Sequence, residues 1–181
     1  MLGLGTGSLV TAMLAAANAL RPAERPATEE EQIRAGDKLV FALGTNKGKT
    51  ITRGDLQIDS AVLAFPAGKE SNQDNLVMLI HVKPESLASP TQIEWTADGF
   101  VAYSALCTHL GCTVSFSHES MPGAEFPHIH CPCHAGLFDL LRGARVMGGP
   151  PPRPLPQLPI QINEQEEISA AGEFTQPVGP D

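Results

Sequence analysis

Two short stretches, Cys107-Thr108-His109-Leu110-Gly111-Cys112 and Cys131-Pro132-Cys133-His134, hold all four cysteines of the chain and two of its six histidines. Thiolate sulfur and imidazole nitrogen are the protein donors that zinc and iron accept most readily. Cys-x-His on one stretch and Cys-x-x-His on the other supply two of each, enough to close a four-ligand centre. The simplest assignment makes Cys107, His109, Cys131 and His134 the ligands. Cys112 and Cys133 lie a few residues away on the same stretches, so a metal drawing the stretches together would bring those two sulfurs into bonding range. Two other readings use the same residues. A zinc ribbon needs four such ligands but no accompanying disulfide, and a disulfide has no use in a reducing compartment. Two ordinary disulfides would leave the histidines idle, and Cys131 and Cys133 stand too close together to pair well.

The two boxes resemble those of the Rieske iron–sulfur proteins. The resemblance implies one [2Fe-2S] cluster, with Cys107 and Cys131 on the buried iron, His109 and His134 on the outer iron, and a disulfide joining Cys112 to Cys133. It extends over most of the chain and is nearest to the Rieske subunit of bacterial quinol:cytochrome c oxidoreductase, the cytochrome bc complex. By that resemblance the chain is an electron-transfer subunit, active only in the assembled complex beside cytochrome b-type and c-type subunits. His109 or His134 would contact quinol and accept its proton as one electron is taken, and the electron would pass to a c-type cytochrome. Leu110 would belong to the apolar docking surface, and Pro151, in Gly148-Gly149-Pro150-Pro151-Pro152-Arg153-Pro154, to a proline loop packed over the cluster. A plain linker is the other reading of that run. The small Rieske subunit of a molybdenum oxidoreductase such as arsenite oxidase shares both boxes. A soluble Rieske ferredoxin typically lacks the two extra cysteines.

The second box departs from the high-potential pattern of the family, which continues with Gly-Ser and then a Tyr. Here those positions are Ala135, Gly136 and Phe138. The serine and tyrosine hydroxyls donate to the cluster sulfurs and favour its more negative, reduced form. Without them the potential is expected to be lower, which suits menaquinol as the donor.

These boxes must be held by the rest of the chain. Residues 1–20 carry no charge, and twenty residues of helix span about 30 Å, the thickness of a bilayer core. A retained membrane anchor is preferred to a cleaved signal peptide, although Ala15-Ala16-Ala17 and Ala17-Asn18-Ala19 offer cleavage sites. No Lys or Arg precedes Arg21, so the natural start is expected upstream or misassigned. Residues 21–36, with two prolines and alternating charge, read as a tether, with Thr28 and Glu31 capping a short turn.

Residues 37–181 form the body. Short apolar runs at Leu39–Ala42, Ala61–Phe65, Leu76–Val82, Ile93–Trp95 and Phe100–Ala105 are separated by turn residues, and Leu158–Ile162 and Glu167–Ala171 close the domain. The expected fold is all-β: an antiparallel sandwich with an inserted cluster-binding subdomain at about 107–149, preceded by the N-terminal hydrophobic helix. The 17 glycines and 16 prolines fit a turn-rich chain poor in long helices. His81 reads as a strand side chain. His128 and His130 would share a strand face, and with His118 lack an evident partner for a second metal site. The tail from Gly172 carries no signal. A net charge of −8 argues against nucleic acid as a partner and places no strong constraint on others.

Overall fold

The structure, a computed structural model, describes residues 31–180. The expected anchor at 1–20 and residues 21–30 of the expected tether, Thr28 among them, lie outside the described residues. Among the described residues no helix is long and apolar enough to cross a membrane.

Among the described residues, eleven strands form three antiparallel sheets. A five-stranded sheet has the order β1-β2-β3-β4-β9, from β1 (Leu39–Phe41), β2 (Ser60–Pro66), β3 (Val77–His81), β4 (Phe100–Ser104) and β9 (Gln157–Leu158). A four-stranded sheet has the order β5-β6-β7-β8, from β5 (Ser115–Ser117), β6 (His128–Cys131), β7 (Gly136–Asp139) and β8 (Arg145–Gly148). β10 (Ile160–Ile162) and β11 (Ile168–Ala170) make a two-stranded ladder. The chain leaves the five-stranded sheet after β4, builds all four strands β5 to β8, and returns to pair β9 with β4 at Ala102 and Tyr103.

β3 and β4 are near-continuous apolar runs because both of their faces are buried. Val77, Leu79, Phe100 and Ala102 face one core, shared with Leu39, Ile51, Ile160 and Ile168. Their alternates, Met78, Ile80, Val101 and Tyr103, face a second core with Ile129, Phe138 and Leu140 of the four-stranded sheet, and with Cys107 and Cys131. The two-residue period of a strand thus assigns each side chain to one layer. The layers are also fastened by polar contacts. The Tyr103 hydroxyl donates to the Leu140 carbonyl at 2.8 Å, and Thr91 Oγ1 donates to the Leu141 carbonyl at 3.0 Å while accepting from the Gly143 amide at 2.8 Å.

One expected strand is corrected. Ile93–Trp95 is a turn of 3-10 helix, closed by the Trp95 amide on the Gln92 carbonyl and the Thr96 amide on the Ile93 carbonyl. A three-residue apolar run cannot by itself distinguish strand from turn, and the 49% exposure of Ile93 shows that neither sheet covers it. Pro159 also divides the expected strand Leu158–Ile162 between β9 and β10, as a residue with no amide donor must in a ladder.

His81 ends β3 as a side chain with a packing role. Its ring stacks on Phe100 at 4.0 Å, and its Nδ1 lies 2.9 Å from the Leu56 carbonyl.

Candidate metal centre

Both boxes are tips of antiparallel connections. The first lies between β4 and β5, where an isolated bridge joins Leu106 to Thr113. The Cys107 amide donates to the Cys112 carbonyl at 2.8 Å and the Gly111 amide to the Cys107 carbonyl at 2.9 Å, so the box folds back on itself. Gly111 takes φ +75°, which costs glycine little. The second box caps the β6–β7 hairpin, whose last pair is Cys131 opposite Gly136. Ala135 completes that tip at φ +53°, in a left-handed conformation unusual for a residue with a Cβ.

The tips are joined covalently. Cys112 and Cys133 form a disulfide with a Cα–Cα distance of 6.6 Å, and they are 21 residues apart in sequence. Closing a loop of that length stabilises the fold by about 3 kcal/mol on the loop-entropy account.

Cys107 and Cys131 are free thiols, 1% and 2% exposed. Burial pushes the Cys107 thiol up to about 11, opposed by the His109 amide hydrogen-bonded to its sulfur and reinforced by the neighbouring Cys131 thiol; the Leu110 amide also bonds that sulfur. The rings of His109 and His134 meet edge to face, with centroids 4.8 Å apart. His109 Nδ1 is buried and has no hydrogen-bond partner, whereas the His134 side chain is exposed. A buried ring nitrogen left unpaired costs free energy unless something absent from the polypeptide engages it. Among the described residues, the group of three ligand atoms lying within 4.8 Å of one another is Cys112, Cys131 and Cys133. The thiols and imidazoles instead stand as two pairs.

The proline run adjoins the second box. Pro151 is buried, and a Cβ placed on Gly136 would lie 2.7 Å from its Cγ and 3.3 Å from Cys131 Cβ. The space a serine would need at position 136 is therefore already filled, so restoring that hydroxyl requires the proline loop to move. A Cβ on Gly149 would come within 2.6 Å of the Ala135 carbonyl oxygen. Thr108, itself 1% exposed, donates from Oγ1 to the Arg153 carbonyl at 2.8 Å, tying the first box to the same loop. Leu110, at the outer tip, is 62% exposed.

The Rieske [2Fe-2S] domain profile matches residues 73–159. The cytochrome bc1 complex Rieske iron-sulfur subunit of Streptomyces lividans is 36% identical over 151 residues, covering 79% of this chain and 85% of that protein. The chain belongs to the Rieske [2Fe-2S] family.

Its cofactor is accordingly one [2Fe-2S] cluster, and its role is electron transport. The like-named subunit of Streptomyces coelicolor is also 36% identical, but the match spans only 41% of its length. A putative respiratory nitrate reductase subunit Rieske of Haloferax mediterranei is 35% identical over 133 residues, which are 74% of this chain and 57% of that protein. Among solved structures, the soluble domain of Rieske protein II (soxF) from Sulfolobus acidocaldarius matches with 28% identity and a TM-score of 0.42, covering 58% of this chain and 67% of that chain.

Among the described residues none of the other histidines joins a group of three close ligand atoms. His128 is buried on β6, with its Nδ1 3.0 Å from the Glu125 carbonyl, and His118 packs edge-on against Phe116 at 5.1 Å. Two features had no sequence signal. Buried Asn75 accepts the Ile33 amide at 2.9 Å and donates to the Glu31 carbonyl at 2.7 Å, anchoring the segment that enters the body. The tail returns to the first box, where Pro180 Cδ lies 3.5 Å from the position of a Cβ on Gly111. Both depend on contacts between residues far apart in the chain, which local pattern does not encode.

Proposed function

We propose that this chain is the Rieske electron-transfer subunit of a quinol:cytochrome c oxidoreductase of the cytochrome bc type. The observation that carries the proposal is the arrangement at the tips joined by the disulfide: a buried pair of free thiols, and a separate pair of imidazoles whose rings touch. Two pairs suit two irons, whereas a single zinc ion would draw all four donors to one point. Cys107 and Cys131 would hold the inner iron as thiolates, and His109 and His134 the outer one. The bound cluster supplies a one-electron carrier with a potential raised by its histidine ligands.

The polypeptide's own part follows from this donor set. Because His109 Nδ1 points inward and lacks a protein partner, it is the nitrogen available to iron. Nε2 is then left to hydrogen-bond a quinol hydroxyl and take its proton. Leu110 beside it would supply apolar contact for the docked partner. The His109 and Leu110 amides that reach the Cys107 sulfur would also stabilise negative charge there. Cytochrome b-type and c-type subunits are the proposed partners, with menaquinol as the donor. The disulfide supports a head on the extracytoplasmic side, and residues 1–20 are the proposed membrane anchor.

A second reading, a Rieske subunit serving a different terminal oxidoreductase, is favoured by the relative from Haloferax mediterranei. Purification from membranes with visible and EPR spectroscopy tests both. A [2Fe-2S] spectrum of histidine-ligated type, in a fraction containing b- and c-type cytochromes, is expected. A colourless zinc protein would refute the cluster ligation, and co-purification with a molybdenum-containing subunit would transfer the chain to the second reading.

A further inference from the structure

Residues 171–180 belong to no strand, yet they are fastened at both ends. At the upstream end Phe174 packs against the core of Leu39 and Ile168, and residues 173–178 form one wall of a cavity of about 420 Å³. The opposite wall is Gln32, Ile33, Asn72 and Asn75, the site where the chain enters the body. At the downstream end Gly179 is buried, and its carbonyl accepts a 2.7 Å hydrogen bond from Arg153 Nη2. Gly179 adopts φ +73°, so the tail turns sharply there and lays Pro180 against Gly111 of the first box. The Arg153 carbonyl is meanwhile the acceptor for the buried Thr108 hydroxyl. One residue thus joins three segments: its backbone holds the first box and its side chain holds the tail.

We propose that residues 173–180 are a strap that fixes the first box against the proline loop, with Arg153 as the positioning residue that fastens it. A free tail would fray; this one is kept in place by a charge-assisted bond at one end and apolar packing at the other. Opening the first box moves Gly111 away from Pro180 and strains the Thr108–Arg153–Gly179 chain of contacts. The strap therefore limits how often that box opens. Because it also borders the entry segment, it connects the root of the tether to the first box. The strap stands on these contacts alone, independently of which oxidoreductase the chain serves.

Hydrogen exchange of the full-length, cluster-loaded protein measures this directly, because exchange reports local opening. Arg153→Met and a chain ended after Val178 should each speed exchange of the amides at 107–112 by about tenfold or more, the scale of one hydrogen bond to a charged group. Combining them should add nothing, since both release the same contact. Arg153→Lys, which keeps a charged donor, should recover much of the protection. Strand β3 serves as the reference for global unfolding. If Arg153→Met also speeds β3, the comparison rests on the chain ended after Val178 and on Pro180→Ala, neither of which removes a core side chain. Unchanged exchange at 107–112 in the shortened chain, or effects that multiply in the combined variant, would overturn the strap. The visible spectrum of the wild type decides the cluster reading separately, so failure of one leaves the other standing.

Discussion

Gly149 follows β8 and lies against the backbone of the second box, and replacing it by alanine tests how closely the proline loop supports that box. A Cβ there would meet the Ala135 carbonyl oxygen at 2.6 Å, Gly136 Cα at 2.8 Å and the Ala135 carbonyl carbon at 3.0 Å. All three are backbone atoms, so no side chain can swing aside. Ordinary contacts stand at about 3.5 to 4 Å, which means one backbone must move by most of an ångström. The residue also has φ +81°, a conformation that costs an L-residue about 1 to 2 kcal/mol. Adding an overpacking cost of about 1 to 3 kcal/mol gives a loss of about 2 to 5 kcal/mol. With a urea dependence of about 2 kcal/mol per molar, the unfolding midpoint should fall by about 1 to 2.5 M. Ala135 is the neighbour of His134, so the EPR line shape of the cluster should change as well. Gly148 provides the control, since a Cβ there meets nothing nearer than Leu137 Cδ1 at 3.5 Å. Gly148→Ala should stay within about 0.5 kcal/mol of wild type. If the two alanine variants unfold together, or if Gly149→Ala keeps both the midpoint and the line shape of the wild type, the support assigned to this loop is wrong.

Two further outcomes are expected. Phe138 is fully buried in the core that also holds Cys107 and Cys131, and in the proposed site Phe138→Tyr would add a hydroxyl to donate to a sulfur of the cluster or its ligands. At about 1.5 kcal/mol for a bond to a charged acceptor, a redox titration should show a rise on the order of 60 mV, and an unchanged potential would remove the hydrogen-bond explanation of tuning. Tyr103 is the only tyrosine in the chain, and its phenol is pushed far above its ordinary value, chiefly by burial, so its absorbance reports its ionisation cleanly. The unfolded chain releases this proton first, near pH 10, so stability is fully present below that pH and is lost as pH rises beyond it. The tyrosinate band should rise only with unfolding, and Tyr103→Phe should flatten the alkaline loss; a band at ordinary pH in a folded protein would contradict the burial argument.

What was legible in the sequence follows from what constrains residue identity. Metal ligation and disulfide chemistry admit few residue types at set spacings, so Cys112 and Cys133 were identifiable as a pair before any fold was known, and the structure joins them. Strands buried on both faces, such as Val77–His81, announced themselves as unbroken apolar runs. Ile93–Trp95 was too short for period to decide. His128 and His130 share a face of β6 as expected, but His128 is fully buried while His130 is half-buried. Strand period assigns a face but not the depth of burial along it. Arg153 and Asn75 make hydrogen bonds to partners 26 to 45 residues away, the tail also meets Gly111 of the first box, and nothing local marks them.

The departure at Gly136 shows where sequence and structure inform each other. Read alone, glycine at that position is a lost hydrogen-bond donor. In the folded chain the same position is occupied from outside by Pro151, whose ring stands where the side chain would project. The exchange therefore has two electrostatic consequences. The reduced cluster would lose a donor that favours its extra negative charge, and it would lie beside a buried apolar ring that further disfavours charge. In the proposed function both would act in the same direction, toward a lower potential. Phe138 reinforces them by placing an apolar ring where the resembling high-potential proteins carry a hydroxyl. Single replacement of Gly136 by serine would strain the proline loop as it adds the donor, so Phe138→Tyr is the cleaner probe of the hydrogen-bond contribution.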